Sequence, residues 1–138
     1  MNPVYLLDTN IVSEPLKQSA NEKVIEKLFL HEGLCVTAAM VIYEIYRGYH
    51  KTSSLKKRLL IQEHIESVIA HIPILSYDQN AAIWHAEQQV KLSAQGKTPA
   101  LIDSQIAAIA KTNNLILVTR NVKDFQYFED LKIDNWFD

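Results

Sequence analysis

Val4-Tyr5-Leu6-Leu7-Asp8-Thr9-Asn10 is the stretch that decides the fold. Four apolar residues run straight into a carboxylate, a hydroxyl and an amide. That is the pattern of a short buried strand delivering Asp8 to its C-terminal edge. In open α/β sheets ligands bind outside the carboxyl ends of the strands, so a carboxylate placed there is a candidate metal ligand. The same residue is also suited to cap a following helix. The choice depends on what else the chain brings to that edge.

Outward from this strand, about 4–7, the pattern alternates. A short helix near 10–16, disturbed by Pro15, precedes a helix over 22–30, a strand over 34–37 and a helix over 38–49 that ends near Gly48. A longer helix over 55–70 carries apolar Leu55, Leu59, Ile61, Ile65, Val68 and Ile69. Pro73-Ile74-Leu75 is a brief strand, and Asp78 caps a helix on which Ile83, Ala86 and Val90 recur on one face. Gly96-Lys97-Thr98-Pro99 breaks that helix, and another covers 100–112. Asn113-Asn114 turns the chain into a strand over 115–119, and the tail holds a turn near Val122 and an edge strand around 132–135. Strands alternating with helices predict an α/β fold with a central, mostly parallel β-sheet flanked by helices. No linker, repeat or low-complexity tract divides the 138 residues, so one domain over 1–138 is expected.

Composition narrows the function classes. Hydrophobic residues make up 48% and charged residues 22%, ordinary values for a globule whose core needs no disulfide or metal. The single cysteine, Cys35, excludes an intramolecular disulfide; it is expected to be a buried structural thiol in a reducing, cytoplasmic compartment. No apolar run is long enough to span a bilayer, and Asp8 interrupts what would be the apolar core of a signal peptide, so no membrane association is expected. The net charge of −2 does not advertise a nucleic-acid binder. A cluster of active-site acids would nevertheless lower the total while basic residues ring the site. The three glycines are not spaced for a dinucleotide or phosphate-binding loop, and there is no GxSxG elbow. None of the five histidines forms HExxH, and one cysteine makes no zinc framework. Solvated or hydrogen-bonded histidines are expected, including His64 and His71, which lie seven positions apart.

Four acids sit where acids need a reason. Asp8 follows the first strand, and Asp124 follows the strand over 115–119. Glu44 lies inside the otherwise apolar Met40-Val41-Ile42-Tyr43-Glu44-Ile45-Tyr46. Asp103 shares a helix face with Ile106, Ala107 and Ala110, the face expected to be buried. An isolated buried carboxylate tends to protonate, whereas several converging on a cation stay charged. Each acid also has a local alternative. Asp8 caps a helix, Glu44 pairs with Arg47, Asp103 answers the helix dipole, and Asn121 with Asp124 makes a capping-box-like pair.

At these residues the chain resembles the PIN-domain ribonucleases, specifically the VapC-type toxins of bacterial toxin–antitoxin pairs. The anchors are Leu-Leu-Asp8-Thr-Asn-Ile, Glu44-Ile-Tyr-Arg-Gly, Asp103-Ser-Gln-Ile-Ala-Ala-Ile-Ala and Leu-Val-Thr119-Arg-Asn-Val-Lys-Asp124-Phe, in order and nearly end to end. The resemblance implies a PIN-like three-layer sandwich, with Asp8, Glu44, Asp103 and Asp124 as the catalytic and metal-site acids. It places Thr9, Asn10, Thr119 and Asn121 as polar residues around them. Many relatives carry an acid where this chain has Asn121, which divides the fourth acidic role between Asn121 and Asp124. The resemblance also implies structured RNA as substrate, with transfer RNA a frequent target, a cognate VapB-type antitoxin as partner, and a homodimer.

Carboxylate ligands suit Mg²⁺ or Mn²⁺, and the reaction that follows is metal-assisted hydrolysis of a phosphodiester. Arg47, Arg120 and Lys123 stand near the acids in sequence as candidate phosphate contacts, and the run from His50-Lys51 to Lys56-Lys57-Arg58 offers more distant ones or a solvated helix start. Tyr43, Tyr46 and Tyr49 recur every three residues, and packing in the core or against a partner is expected ahead of base stacking. Two other functions compete. A haloacid-dehalogenase-type phosphohydrolase also begins with a strand-end Asp but needs a second Asp two residues on, where this chain has Asn10. A non-catalytic binding module on a PIN-like scaffold would be marked by missing acids, and none is missing. If Asp8 serves a metal, Thr9 or Asn10 is expected to start the helix and leave the Asp8 carboxylate for the ion.

Overall fold

A computed structural model describes residues 2–138. Its strands are β1 (Tyr5–Leu7), β2 (Cys35–Ala38), β3 (Ile74–Leu75), β4 (Ile116–Val118) and β5 (Ile133–Asp134). Its helices are α1 (Thr9–Val12), α2 (Glu22–Leu30), α3 (Ala39–Lys51), α4 (Leu55–Ser67), α5 (Gln79–Ala94) and α6 (Leu101–Thr112). The strands form one sheet in the order β3-β2-β1-β4-β5, and every neighbouring pair is parallel. Successive strand residues face opposite sides of a sheet. Leu6 and Leu7 on β1, and Leu117 and Val118 on β4, are all fully buried, so both faces are covered by helices. The expected three-layer α/β sandwich is therefore present, with a wholly parallel sheet. Among the described residues no helix is long and apolar enough to cross a membrane.

The strand order creates the site. From β1 the chain steps one way through β2 to β3, then returns to the other side of β1 for β4 and β5. The order reverses between β1 and β4, and parallel sheets open a crevice at the carboxyl ends of strands flanking such a reversal. Asp8 leaves β1 there and Thr119 leaves β4 there. Two backbone bonds lock the edge: Asp8 N–H to Val118 O at 2.9 Å and Thr119 N–H to Asp134 O at 3.0 Å.

Local chemistry sets the ends of the elements. The Asn21 side chain accepts from Lys23 and Val24 N–H to start α2, Ser54 caps α4, and Asp78 caps α5. The helix α6 ends in Asn114 at φ 55°, with Leu115 N–H bonded to Ala110 O at 2.9 Å and Asn114 N–H to Lys111 O at 3.2 Å. This left-handed turn satisfies the last carbonyls of the helix and aims the chain into β4.

Several local expectations need correcting. The helix expected over 10–16 is two pieces, α1 and a 3-10 turn over Glu14–Leu16 with Pro15 inside it, because proline has no N–H to continue the helical ladder. The helix expected over 55–70 ends at Ser67 and passes into a second 3-10 turn, Ile69–His71, and its Leu55 and Leu59 are exposed. On α5 the expected face of Ile83, Ala86 and Val90 points to solvent, with Ile83 60% and Val90 72% exposed. Ala81, Gln88 and Leu92 are the buried residues of that helix. Buried His64 bonds Val12 O through Nε2 at 2.8 Å, tying α4 to α1, whereas His71 is exposed. Cys35 is half-buried, and burial pushes its thiol up to about 11, which leaves it unreactive.

Candidate active site

Asp8 is the centre of a polar knot at the strand reversal. It is only 6% exposed, and it is the N-cap of α1: its Oδ1 accepts Thr9 N–H at 2.8 Å. The expectation that Thr9 or Asn10 would start the helix is therefore wrong. A helix that begins directly after a strand-end residue has an unpaired N–H next to it, and the nearest acceptor is that residue's own carboxylate. The second oxygen, Oδ2, accepts the Thr119 hydroxyl at 2.8 Å and the Asn10 amide at 3.4 Å. Capping thus occupies one oxygen and leaves the other on the cleft side with neutral donors only.

The expected polar neighbours hold the knot in place. The Thr119 side chain is fully buried; its oxygen donates to Asp8 and accepts Asn121 N–H at 3.0 Å. Asn10 reaches Thr119 Oγ1 at 3.4 Å through its amide nitrogen and accepts Arg120 N–H at 3.0 Å through its oxygen. Asn10 is thereby a spacer between β1 and β4, occupying the position where a dehalogenase-type enzyme carries its second aspartate. Asn121 engages the knot through its backbone, and its side chain caps nothing in the 3-10 turn Val122–Asp124, so the capping-box-like alternative is absent.

Glu44 is brought to the same place from α3. Its Oε1 accepts the Thr9 hydroxyl at 2.6 Å, so Thr9 contacts Asp8 through its backbone and Glu44 through its side chain. Glu44 makes no pair with Arg47; among the described residues the ion pairs are Lys17–Glu14, Lys91–Glu87 and Lys91–Glu129. Asp103 lies in the first turn of α6, half-buried, ahead of fully buried Ile106, Ala107 and Ala110. Asp124 closes the 3-10 turn after β4 and is exposed at the rim.

Electrostatics ties the four acids together. Burial pushes the Asp103 carboxyl up to about 6, with further upward pressure from Asp8, Asp124 and Glu44 in that order. Burial also raises Asp8, and nearby Glu44 adds to this, against the lowering effect of the Thr119, Thr9 and Asn10 hydrogen bonds. Like charges gathered in a partly desolvated cleft, none of them in an ion pair to Lys or Arg among the described residues, are the condition that a bound cation relieves. Among the described residues no three Asp, Glu, His or Cys side chains stand close enough to grip one ion together. The donors therefore fit a hard divalent ion that takes one or two carboxylates and keeps its remaining waters.

The candidate phosphate contacts are dispersed. Arg47 is exposed on α3, and Lys123 is exposed in the 3-10 turn. Arg120 is exposed with its guanidinium carbon 4.6 Å from the centre of the Phe137 ring. Two residues near the site escaped the sequence reading. Tyr127 has its phenol raised by burial and then by Asp124 and Asp103, which places it beside the acids. Its position three residues after Asp124 in the same turn-rich segment was the available signal. Glu14 is a buried carboxylate that accepts Asn21 N–H at 2.8 Å and pairs with Lys17 at 3.0 Å. It is a structural group that anchors the entry to α2.

Known proteins share this architecture. The PIN domain family model matches residues 5–130. Ribonuclease VapC2 of Haemophilus influenzae is 30% identical over 132 residues, covering 96% of this chain and 97% of the relative. Toxin FitB of Neisseria gonorrhoeae is 31% identical over 142 residues, covering 98% of this chain and 100% of the relative. The crystal structure of FitAcB from Neisseria gonorrhoeae superposes with a TM-score of 0.86 at 30% identity, covering 97% of this chain and 99% of that one.

Proposed function

The chain belongs to the PIN-domain family, among its VapC-type members, and on that premise we propose that it is a divalent-metal-dependent endoribonuclease acting as the toxin of a toxin–antitoxin pair. The proposal takes residues 1–138 as one PIN domain. The observation that carries it is the set of uncompensated acids, Asp8, Glu44, Asp103 and Asp124, facing one crevice at the strand reversal. A VapB-type antitoxin would neutralise the enzyme, and the enzyme would work as a homodimer. Exposed Phe29 on α2, Leu55 and Leu59 on α4, and Ile83 and Val90 on α5 offer apolar surface for such partners.

Asp8 and Asp103 would hold Mg²⁺ or Mn²⁺, with Glu44 and Asp124 as further ligands or as acceptors for ordered water. The ion would supply an activated water and charge neutralisation at the scissile phosphate. The chain's own residues supply the orientation. Thr9 fixes Glu44 relative to Asp8, and Thr119 fixes Asp8 relative to the β4 edge. Asp124, at the exposed rim, would complete the site or accept the proton that the attacking water gives up. Arg47 on α3 and Arg120 and Lys123 after β4, all exposed, would draw in the RNA backbone, transfer RNA being the first substrate to try.

The test is cleavage of a mixed RNA pool and of bulk transfer RNA with Mg²⁺ or Mn²⁺, against EDTA and against Asp8→Asn. Cleavage is expected only for the parent protein with metal. Cleavage that survives EDTA or Asp8→Asn would overturn the reading, as would phosphate release from small phosphomonoesters without any RNA cleavage.

A further inference from the structure

The acids account for the chemistry but not for how a long polyanion is led to them. The charge of the chain is distributed unevenly. Between Glu44 and Glu63 there is no acidic residue, while Arg47, Lys51, Lys56, Lys57 and Arg58 all fall in that interval, in a chain whose net charge is −2. The interval is the second half of α3 and the first half of α4.

On α3 the basic residues interleave with aromatic ones on the outward face. Tyr43 is 55% and Tyr46 43% exposed, and Arg47, His50 and Lys51 are exposed as well. Of the two packings expected for these tyrosines, in the core or against a partner, the first does not hold for Tyr43 and Tyr46; Val41 and Ile45 are the buried residues of α3. Tyr46 and His50 stand with ring centroids 6.5 Å apart at 36°. Tyr49 is instead turned to α4, donating its hydroxyl to Gln62 at 3.0 Å and lying under Arg58, whose guanidinium also bonds Thr52 O at 2.9 Å. Arg58 is thus held within the fold, whereas Arg47 and Lys51 make no ion pair among the described residues.

The position of Glu44 gives this face its direction. Arg47 and Lys51 follow it by three and seven positions, on the same side of the helix and about 4.5 and 10.5 Å further along its axis. Tyr43, Arg47 and His50 form the adjoining row. We propose that this outer face of α3, from Tyr43 to Lys51, is a track for single-stranded RNA flanking the scissile phosphate. Arg47 and Lys51 take phosphates, and Tyr43 and Tyr46 stack unpaired bases. Exposed aromatic rings between cations are what unstacked nucleotides bind. The proposal rests on the nuclease reading and adds where the substrate strand runs.

Binding of a fluorescein-labelled single-stranded 12-mer RNA, followed by anisotropy in Mg²⁺ with an Asp103→Asn protein, tests the track without turnover. Arg47→Ala with Lys51→Ala is expected to weaken binding about tenfold and to flatten the dependence of log Kd on log salt by about 1.4, the value for two phosphates on a single strand. Tyr43→Ala with Tyr46→Ala is expected to weaken binding at least fivefold with the salt slope retained. Lys23→Ala with Lys27→Ala on α2 removes the same charge elsewhere and is expected to bind as the parent does. Equal weakening by all three pairs, or no weakening by the first two, overturns the track. So does a poly-glutamate peptide that binds this face while the RNA does not. Thermal melts of each variant matching the parent exclude unfolding as the cause. Failure here leaves metal-dependent cleavage standing, and failure of cleavage leaves the binding comparison readable.

Discussion

Replacing Asp103 with asparagine should make the metal-free protein more stable while removing its activity. The Asp103 carboxyl is pushed up from 3.8 to about 6 by burial and by its acidic neighbours. A group whose pKa is higher in the folded state stabilises the fold while it is protonated, and that contribution is lost as pH rises through the folded pKa. The shift corresponds to roughly 3 kcal/mol at about 1.4 kcal/mol per pH unit. The side chain is only half-buried, and water screens the repulsion, which reduces the figure to about 1 kcal/mol. Asparagine keeps the shape without the charge. In EDTA at pH 7.5, Asp103→Asn is therefore expected to melt about 3 °C above the parent for a domain of this size. At pH 4 the difference should shrink to near zero, because the parent is then largely protonated. In Mg²⁺ the order should reverse, since the parent gains stability from the ion by mass action and the variant gains little. Scanning calorimetry at the two pH values, with and without metal, reads all of this from one pair of proteins. A variant less stable than the parent at pH 7.5 in EDTA, or one that gains as much from Mg²⁺ as the parent, refutes the reasoning.

Three further outcomes follow from the same geometry. Asp8→Asn should fold with the α1 cap retained and lose RNA cleavage, whereas Asp8→Ala should in addition lose about 1 kcal/mol of cap energy; denaturant melts and a cleavage assay separate the two. Thr119→Val leaves the Asn121 N–H and one oxygen of buried Asp8 short of a partner, at a cost of about 2 kcal/mol, and Thr119→Ser should restore most of it in urea titrations. Metal affinity should fall as pH drops below about 6, where Asp103 takes up its proton; titration calorimetry with Mn²⁺ at pH 5.5 and 7.5 checks this, and equal affinities would count against Asp103 as a ligand.

The sequence made some parts of this molecule legible and hid others for physical reasons. The helix expected over 22–30 is found over Glu22–Leu30, where Asn21, an acceptor for two amide protons, fixes its start. The strand-end acids were readable because a charged side chain directly after an apolar run has few places to go. On α5 periodicity misled. A stripe of apolar residues looks the same whether it faces the core or the solvent, and Ile83 and Val90 face the solvent. The buried position is Gln88, whose amide bonds both the backbone N–H (3.2 Å) and the side chain (3.3 Å) of Glu129, 41 residues away. No local rule carries that pairing. The strand order was equally unreadable, since parallel strands pair through contacts between distant segments. Tyr127 is only half legible in the same way: its spacing from Asp124 is local, but its approach to Asp103 forms only in the folded chain.

The hydroxyl of Thr119 and the carboxylate of Asp8 are separated by 111 residues of chain, yet they share one hydrogen bond. A growing polypeptide therefore carries Asp8 from its first moments without the residue that holds it in place. At about 5 to 20 residues per second, roughly 5 to 20 seconds pass before Thr119 is even synthesised, and the ribosomal tunnel delays its arrival at β1 further. Until then β1 has no β4 beside it, and the carboxylate has no fixed aim. A site built this way is incomplete while most of its chain is still being translated. The long closure between first and fourth strand works as a timer.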